Sequence, residues 1–350
     1  SMLWGQNTYV PDDNFEQALI DLNYDDTLDD YVLTANISGV TNLDVNNKEI
    51  SDLTGIEAFT ALTDLDCGGT GSTANQLTTL DLSNNTALTT LFCHNNQLTS
   101  LDVSSNTALS VLWCHSNQLT SLDVSANTAL TDLHCTWNEL TSLDISNNTE
   151  LTTLRCYSNQ LTSLDVSSSN TALAHLAITN NELTSLDVSA NTALTYLHCT
   201  WNELTSLVLN SALDGLYCAN NQLTSLDVSN NTALSVLWCA NNQLTSLDVS
   251  ANTALTFLDC SGNNNQLTYL NMRNGVTDGL TTFDATDNSL ECIETLDPDY
   301  ATANWTYANG NIDDGVTFTD ICYASNPSYT NVPDDNFEQA LIDLGYDDVL

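Results

Sequence analysis

The chain has 350 residues, 42% of them hydrophobic, enough to build a large core. Its formal net charge is −42, and Lys48, Arg155 and Arg273 are its only strong bases. No basic patch exists to displace counterions, which argues against nucleic acid and anionic membrane surfaces as partners, and no run of 18 apolar residues exists to insert into a bilayer.

Ser1-Met2 resembles a cloning remnant, and residues 1–8 are read as a tag or leader remnant without a secretory signal of their own. Residues 10–22, VPDDNFEQALIDL, carry a helix start at Pro11 with Asp12 or Asp13, and place Phe15, Ala18, Leu19 and Leu22 on one face. This predicts an N-terminal cap with a helix over 9–35. Irregular coils follow, with a glycine-rich loop at 68–71. A 21-residue unit then recurs, beginning at Leu77, Leu98, Leu119, Leu140, Leu161, Leu183, Leu204, Leu223, Leu244 and Leu267. A typical copy is LTSLDVSANTALTDLHCTWNE, residues 119–139. A fixed period of this size predicts a solenoid, here over 36–290, in which each coil buries its apolar edge against its neighbours. A C-terminal cap is expected over 291–331. The cap sequence returns at 332–344, so 332–350 reads as the start of a second module of a longer, tandem protein.

Each coil carries two short strand signals, L-x-x-L-x-C (as in 88–93) and L-T-S-L-D-V (as in 98–103). Alternation points Leu and Cys inward and the residues between them outward. The Asn three places after each inward Cys forms a further column: Asn96, Asn117, Asn138, Asn159, Asn181, Asn202, Asn221, Asn242 and Asn263. Such an Asn can satisfy backbone groups that a bend leaves unpaired. The fold class is therefore mainly β, with two short strands per coil, an N-terminal cap helix and a C-terminal cap.

The pattern resembles the leucine-rich-repeat family, whose signature is L-x-x-L-x-L-x-x-N/C-x-L. It is most similar to the bacterial 21-residue subclass sometimes called IRREKO, and the caps resemble those of secreted bacterial members. The resemblance implies a non-catalytic binding or adhesion module, secreted or at the cell surface; it names no ligand.

Nine cysteines occupy the inward position: Cys67, Cys93, Cys114, Cys135, Cys156, Cys199, Cys218, Cys239 and Cys260. Ile178 stands where one is missing, so these thiols read as small core hydrophobes rather than as metal ligands. Cys292 and Cys322 lie outside the column, 30 residues apart, and are expected to form a disulfide worth about 3–4 kcal/mol if loop entropy dominates. That bond would imply an oxidising, exported location.

The two outward faces differ. The L-T-S-L-D-V face is uniform, with an Asp column at Asp81, Asp102, Asp123, Asp144, Asp165, Asp187, Asp227 and Asp248, broken by Val208. Carboxylates ~4.8 Å apart cost about 0.8 kcal/mol per neighbour in bulk water. Solvation with Ser and Thr hydrogen bonds accounts for that column; the sharper alternative is Ca²⁺ shared between coils, on Asp102, Asp123, Asp144 and Asp165. A flat, regular face could also suit a mineral or, against the Asp column, ice.

The L-x-x-L-x-C face is variable. Its central column reads Phe92, Trp113, His134, Arg155, Ala177, His198, Tyr217, Trp238 and Asp259. Flanking positions add His94, His115, Tyr157, His175, Tyr196 and Phe257, and Trp137 and Trp201 follow just past the strand. Every histidine of the chain lies here. Outward aromatics are costly to hydrate and mark a binding surface. Two structural explanations compete: large side chains stack and stabilise the sheet, or they are passengers of duplication, since HCTWNELTSL occurs at 134–143 and 198–207. The expected contact residues are Phe92, Trp113, His134, Trp137, Arg155, His198, Trp201, Tyr217 and Trp238.

Trp, Tyr and Arg are hot-spot residues for a protein partner, and aromatic rings at multiples of ~4.8 Å also suit the faces of a cell-surface glycan. Stacked His pairs could hold a transition metal, but no catalytic motif is present and a flat strand face lacks a water-excluding pocket. The chain is therefore not expected to be an enzyme, and no cofactor is expected beyond the Ca²⁺ alternative.

Overall fold

The computed structural model describes residues 6–166, 169–262 and 266–322. The repeated cap sequence at 332–344 and Asn263 of the Asn column lie outside them. The chain divides into two compact units, residues 1–223 and 224–350. Both are parallel β solenoids with few helices.

In the first unit the cap is a helix, Asp13–Asp21, beside an antiparallel pair, Asn7–Tyr9 with Tyr31–Leu33. The cap therefore takes in Asn7 and Thr8, which the sequence reading gave to a leader remnant. Asp12 is the N-cap: its Oδ1 accepts from the backbone N–H of Asn14 and Phe15 at 3.0 and 2.9 Å. Its Oδ2 accepts from the Ser51 N–H, the Ser51 hydroxyl and the Asp52 N–H, so one carboxylate starts the helix and fastens it to the solenoid. Burial pushes the Asp12 carboxyl up, but these hydrogen bonds outweigh it and hold it below the usual range. Phe15, Ala18 and Leu19 are buried as expected, whereas Leu22 is the C-cap and 38% exposed. The helix ends there, which turns Leu22 off the apolar face.

Nine strands, each three residues long, form the main parallel sheet of the first unit, from Asn42–Asp44 to Gly215–Tyr217. They pair in strict register: Leu91↔Leu112↔Leu133↔Leu154↔Leu176↔Leu197↔Leu216. The reason is the pleat: a one-residue slip would send this buried leucine row to solvent. In the second unit Val236–Trp238, Phe257–Asp259 and Thr282–Asp284 pair in the same way.

The L-T-S-L-D-V segment is less regular than its sequence. It forms a ladder at Ser185–Asp187 with Ser206–Val208 in the first unit. In the second, Ser246–Asp248 begins a four-stranded sheet with Tyr269–Met272, Cys292–Thr295 and Thr317–Thr319. The other copies carry no strand. Two strands per coil is thus met only in part.

The cores hold the inward leucines of the repeat and the nine ladder cysteines, which are fully buried and not joined in disulfides. Burial pushes the Cys114, Cys156 and Cys199 thiols up to about 12. Cys292 and Cys322 form the disulfide, with Cα atoms 5.9 Å apart.

Two Asn ladders stitch the coils. In the expected one, Asn138 Oδ1 accepts from the Leu119 N–H at 3.0 Å, while its Nδ2 donates to Cys114 O and Cys135 O at 3.1 Å. Asn96, Asn117, Asn159, Asn181, Asn202 and Asn221 repeat the arrangement. The second ladder is the Asn of S-x-N-T-A-L. Asn127 Nδ2 donates to Val103 O and Asn106 O of the preceding coil at 3.0 and 2.8 Å, and Asn148 and Asn252 do the same. Its constancy at each turn was the available signal.

Candidate binding face

Strict register stacks the outward side chains into columns. In the first unit Phe92, Trp113, His134, Arg155, Ala177, His198 and Tyr217 stand opposite one another in turn. Trp238 occupies the equivalent position in the sheet of the second unit, beside Asp259.

Most column members are half-buried because they stack. Phe92 and Trp113 have ring centroids 4.6 Å apart, and the Trp113–His134 pair is edge-to-face at 5.9 Å. A parallel row of imidazoles runs alongside: His94 and His115 stack at 4.7 Å, His115 and His134 at 4.1 Å. Further along, His175 stacks on Tyr196 at 5.5 Å and His198 on Tyr217 at 4.1 Å, the latter pair nearly parallel at 7°.

Two glycines make room for these rings. A Cβ on Gly68 would collide with the His94 ring, and one on Gly215 would sit 2.7 Å from Tyr196 Cδ1. The Tyr196 hydroxyl then donates to Asp214 at 2.6 Å.

Burial, then neighbouring histidines, depress the imidazoles, His115 to about 4 and His134 to about 3. His94 and His198 are also lowered, chiefly by burial. The row is therefore uncharged at neutral pH. Arg155 is the exception, paired with Asp132 at 3.4 Å and still partly exposed.

Stacked imidazoles hold their lone pairs in parallel ring planes, which cannot converge on one ion. Among the described residues no group of three or more His, Cys, Asp or Glu is placed to hold a metal ion. On the other face, Asp102, Asp123 and Asp144 each accept from the N–H of the serine two residues on, at 2.9 Å. The Ser104 and Ser125 hydroxyls, then their N–H groups, hold Asp102 and Asp123 low; for Asp144 the Ser146 N–H comes first. Asp165 precedes residues 167–168, outside the described residues. The carboxylate column is thus in part a row of turn caps.

Trp113 and Trp238 each bury their indole N–H with no acceptor among the described residues. They present ring faces and edges, not donors. Trp137 and Trp201 differ: they are 60% and 59% exposed and sit in left-handed backbone at φ 53° and 54°. Asn95, Ser116, Ser158, Asn180 and Asn220 hold the same turn position in other coils. A bulky residue there is strained.

With this geometry in view, comparison with known proteins places the chain. The family description "Leucine Rich repeats (2 copies)" matches residues 86–127 and 211–252, and an LVIVD repeat matches 135–159. The functional domain of InlJ from Listeria monocytogenes, which includes a cysteine ladder, is 31% identical, with a TM-score of 0.68 over 95% of this chain and 76% of that one. The chain belongs to the bacterial leucine-rich-repeat proteins. Its own column of buried cysteines has a counterpart in that ladder. Internalin J of Listeria monocytogenes serotype 4b is 45% identical over 83 residues, 23% of this chain but 8% of that protein's length. An internalin, inlF, of the same species shares the fold at 21% identity and a TM-score of 0.68, over 90% of this chain and 96% of that one.

Proposed function

We propose that the chain is a non-catalytic recognition module that holds a protein partner on its L-x-x-L-x-C strand face, as part of a secreted or cell-surface protein. One observation carries this reading. Two faces share a scaffold, yet one repeats Ser and Asp while the other carries every histidine and the aromatic columns. The fold does not require that difference, because the Leu and Asn ladders, and the Cys column with Ile178 in one coil, run on beneath whichever residues stand outward. Similarity to internalins supports a surface binding role. Aromatic side chains already immobilised by stacking lose little entropy when a partner covers them, which favours their use as anchors.

A glycan reading is kept for one reason: Trp137 and Trp201 stand clear of the stack, exposed and strained, where a sugar ring could lie on them. The experiment that separates the two is saturable binding of the labelled protein to cultured cells pretreated with protease or with glycosidases. The protein reading expects protease to abolish binding and glycosidases to leave it. The opposite pattern would replace it with the glycan reading.

A further inference from the structure

The central column of the first unit is a stack with one ring missing. Phe92, Trp113, His134 and Arg155 lie on one side of Ala177, and His198 and Tyr217 on the other. A depression of about 240 Å³ opens there, with Ala177 and Leu176 as its floor, Arg155 and His198 as facing walls, and His175 and Tyr196 behind.

We propose that this slot binds one planar aromatic side chain of a protein partner, inserted between Arg155 and His198 so that it completes the stack. The inference rests on the strand face being the recognition surface and adds where on it, and with what, the partner is gripped.

The dimensions fit. Arg155 and His198 are two strands apart, ~9.6 Å by the spacing of a sheet. A ring sandwiched between them needs two contact distances, roughly 7–8 Å in all. A dry cavity of ~150 Å³ already accepts benzene, so the observed volume takes a phenyl, phenol or larger ring.

The chemistry selects the same occupant. Arg155 supplies the positive charge of this slot, and the negative face of an aromatic ring is attracted to a guanidinium. Its pairing with Asp132 at 3.4 Å tilts that charge toward the neighbouring coil without removing it from solvent. Opposite, His198 is held uncharged and already stacks on Tyr217, so an incoming ring extends an existing stack. Asp132, paired with Arg155, and Asp214, bonded to the Tyr196 hydroxyl, stand just beyond the lining, and the chain carries a net charge of −42, all of which repel an anionic ligand.

The test uses N-acetyl-L-tyrosinamide as the probe and methyl β-D-glucopyranoside as the comparator, followed through the imidazole resonances of the five histidines. The tyrosinamide is expected to shift His175 and His198 saturably, with half-saturation on the order of 1 mM for a ligand of this size. His94 should stay still. Ala177→Phe fills the slot and should raise half-saturation at least about tenfold, with the melting temperature unchanged or higher. Should that variant misfold, Arg155→Ala serves instead, with about a fivefold loss expected from removal of the cationic wall. Absence of a saturable shift at His198, or a shift retained in these variants, overturns the proposal; so does the glucoside shifting the same resonances as strongly. Cell binding lost on mutating Phe92 and Tyr217, with no tyrosinamide binding, would remove the slot and leave the recognition face standing.

Discussion

The imidazole rings of His115 and His134 lie over one another, with 4.1 Å between centroids and 29° between planes. Such closeness is tolerable only while both are uncharged. Their folded-state values lie at about 4 and about 3, below the ordinary 6.5, so the unfolded chain binds protons first as pH falls. The stability of the stack is therefore present above about pH 6.5 and is lost as pH drops toward 4 and then 3. Melting temperature should fall across pH 7 to 4, and His134→Phe should flatten that fall. Equal slopes for the two proteins would contradict the assignment.

Asn138 ties the N–H of Leu119 to the carbonyls of Cys114, Cys135 and Thr136, four buried contacts through one side chain. Asn138→Ala should cost about 3 kcal/mol in chemical denaturation, because truncation leaves buried polar groups unpaired. Asn→Asp at this position should cost as much or more, since the carboxylate cannot donate to Cys114 O and Cys135 O.

The nine ladder thiols should be silent to a thiol reagent in the native protein at pH 8 and all react in denaturant. Cys292–Cys322 should resist alkylation until reduced, and its reduction should lower stability by about 3–4 kcal/mol.

Calcium gives a sharp outcome for the opposite face. The Asp102, Asp123 and Asp144 carboxylates each hold a serine N–H, and a Ca²⁺ ion seeks six to eight oxygens. Melting curves with calcium and with chelator should superimpose. A rise of several degrees in calcium would assign the ion to that column.

Much of this was legible in the sequence, because a repeat is its own alignment. The leucine and cysteine rows and the first Asn ladder follow from residues that hold position while others change; the cap helix follows from its start signal and apolar face, and the Cys292–Cys322 bond from the two cysteines that stand outside the column. Three features were not legible. The second Asn ladder was hidden by its plainness, since N-T-A-L reads as an ordinary turn. Most L-T-S-L-D-V segments form no ladder, and alternation, which assigns inward and outward residues, does not encode pairing between coils. The slot at Ala177 was invisible because a small residue in a variable column looks like drift until its neighbours Arg155 and His198 are seen as facing walls.

The most direct test of the recognition face compares two multiple variants in the cell-binding assay. Phe92→Ser with His198→Ser and Tyr217→Ser strips the variable face; Asp102→Asn with Asp123→Asn and Asp144→Asn alters the uniform one. With both variants shown to be folded, the first should bind at least about tenfold more weakly, as expected when anchor residues are removed, and the second should match the unaltered protein. Retention of binding by the first, with loss by the second, would contradict the account and move the recognition surface to the opposite side of the coil.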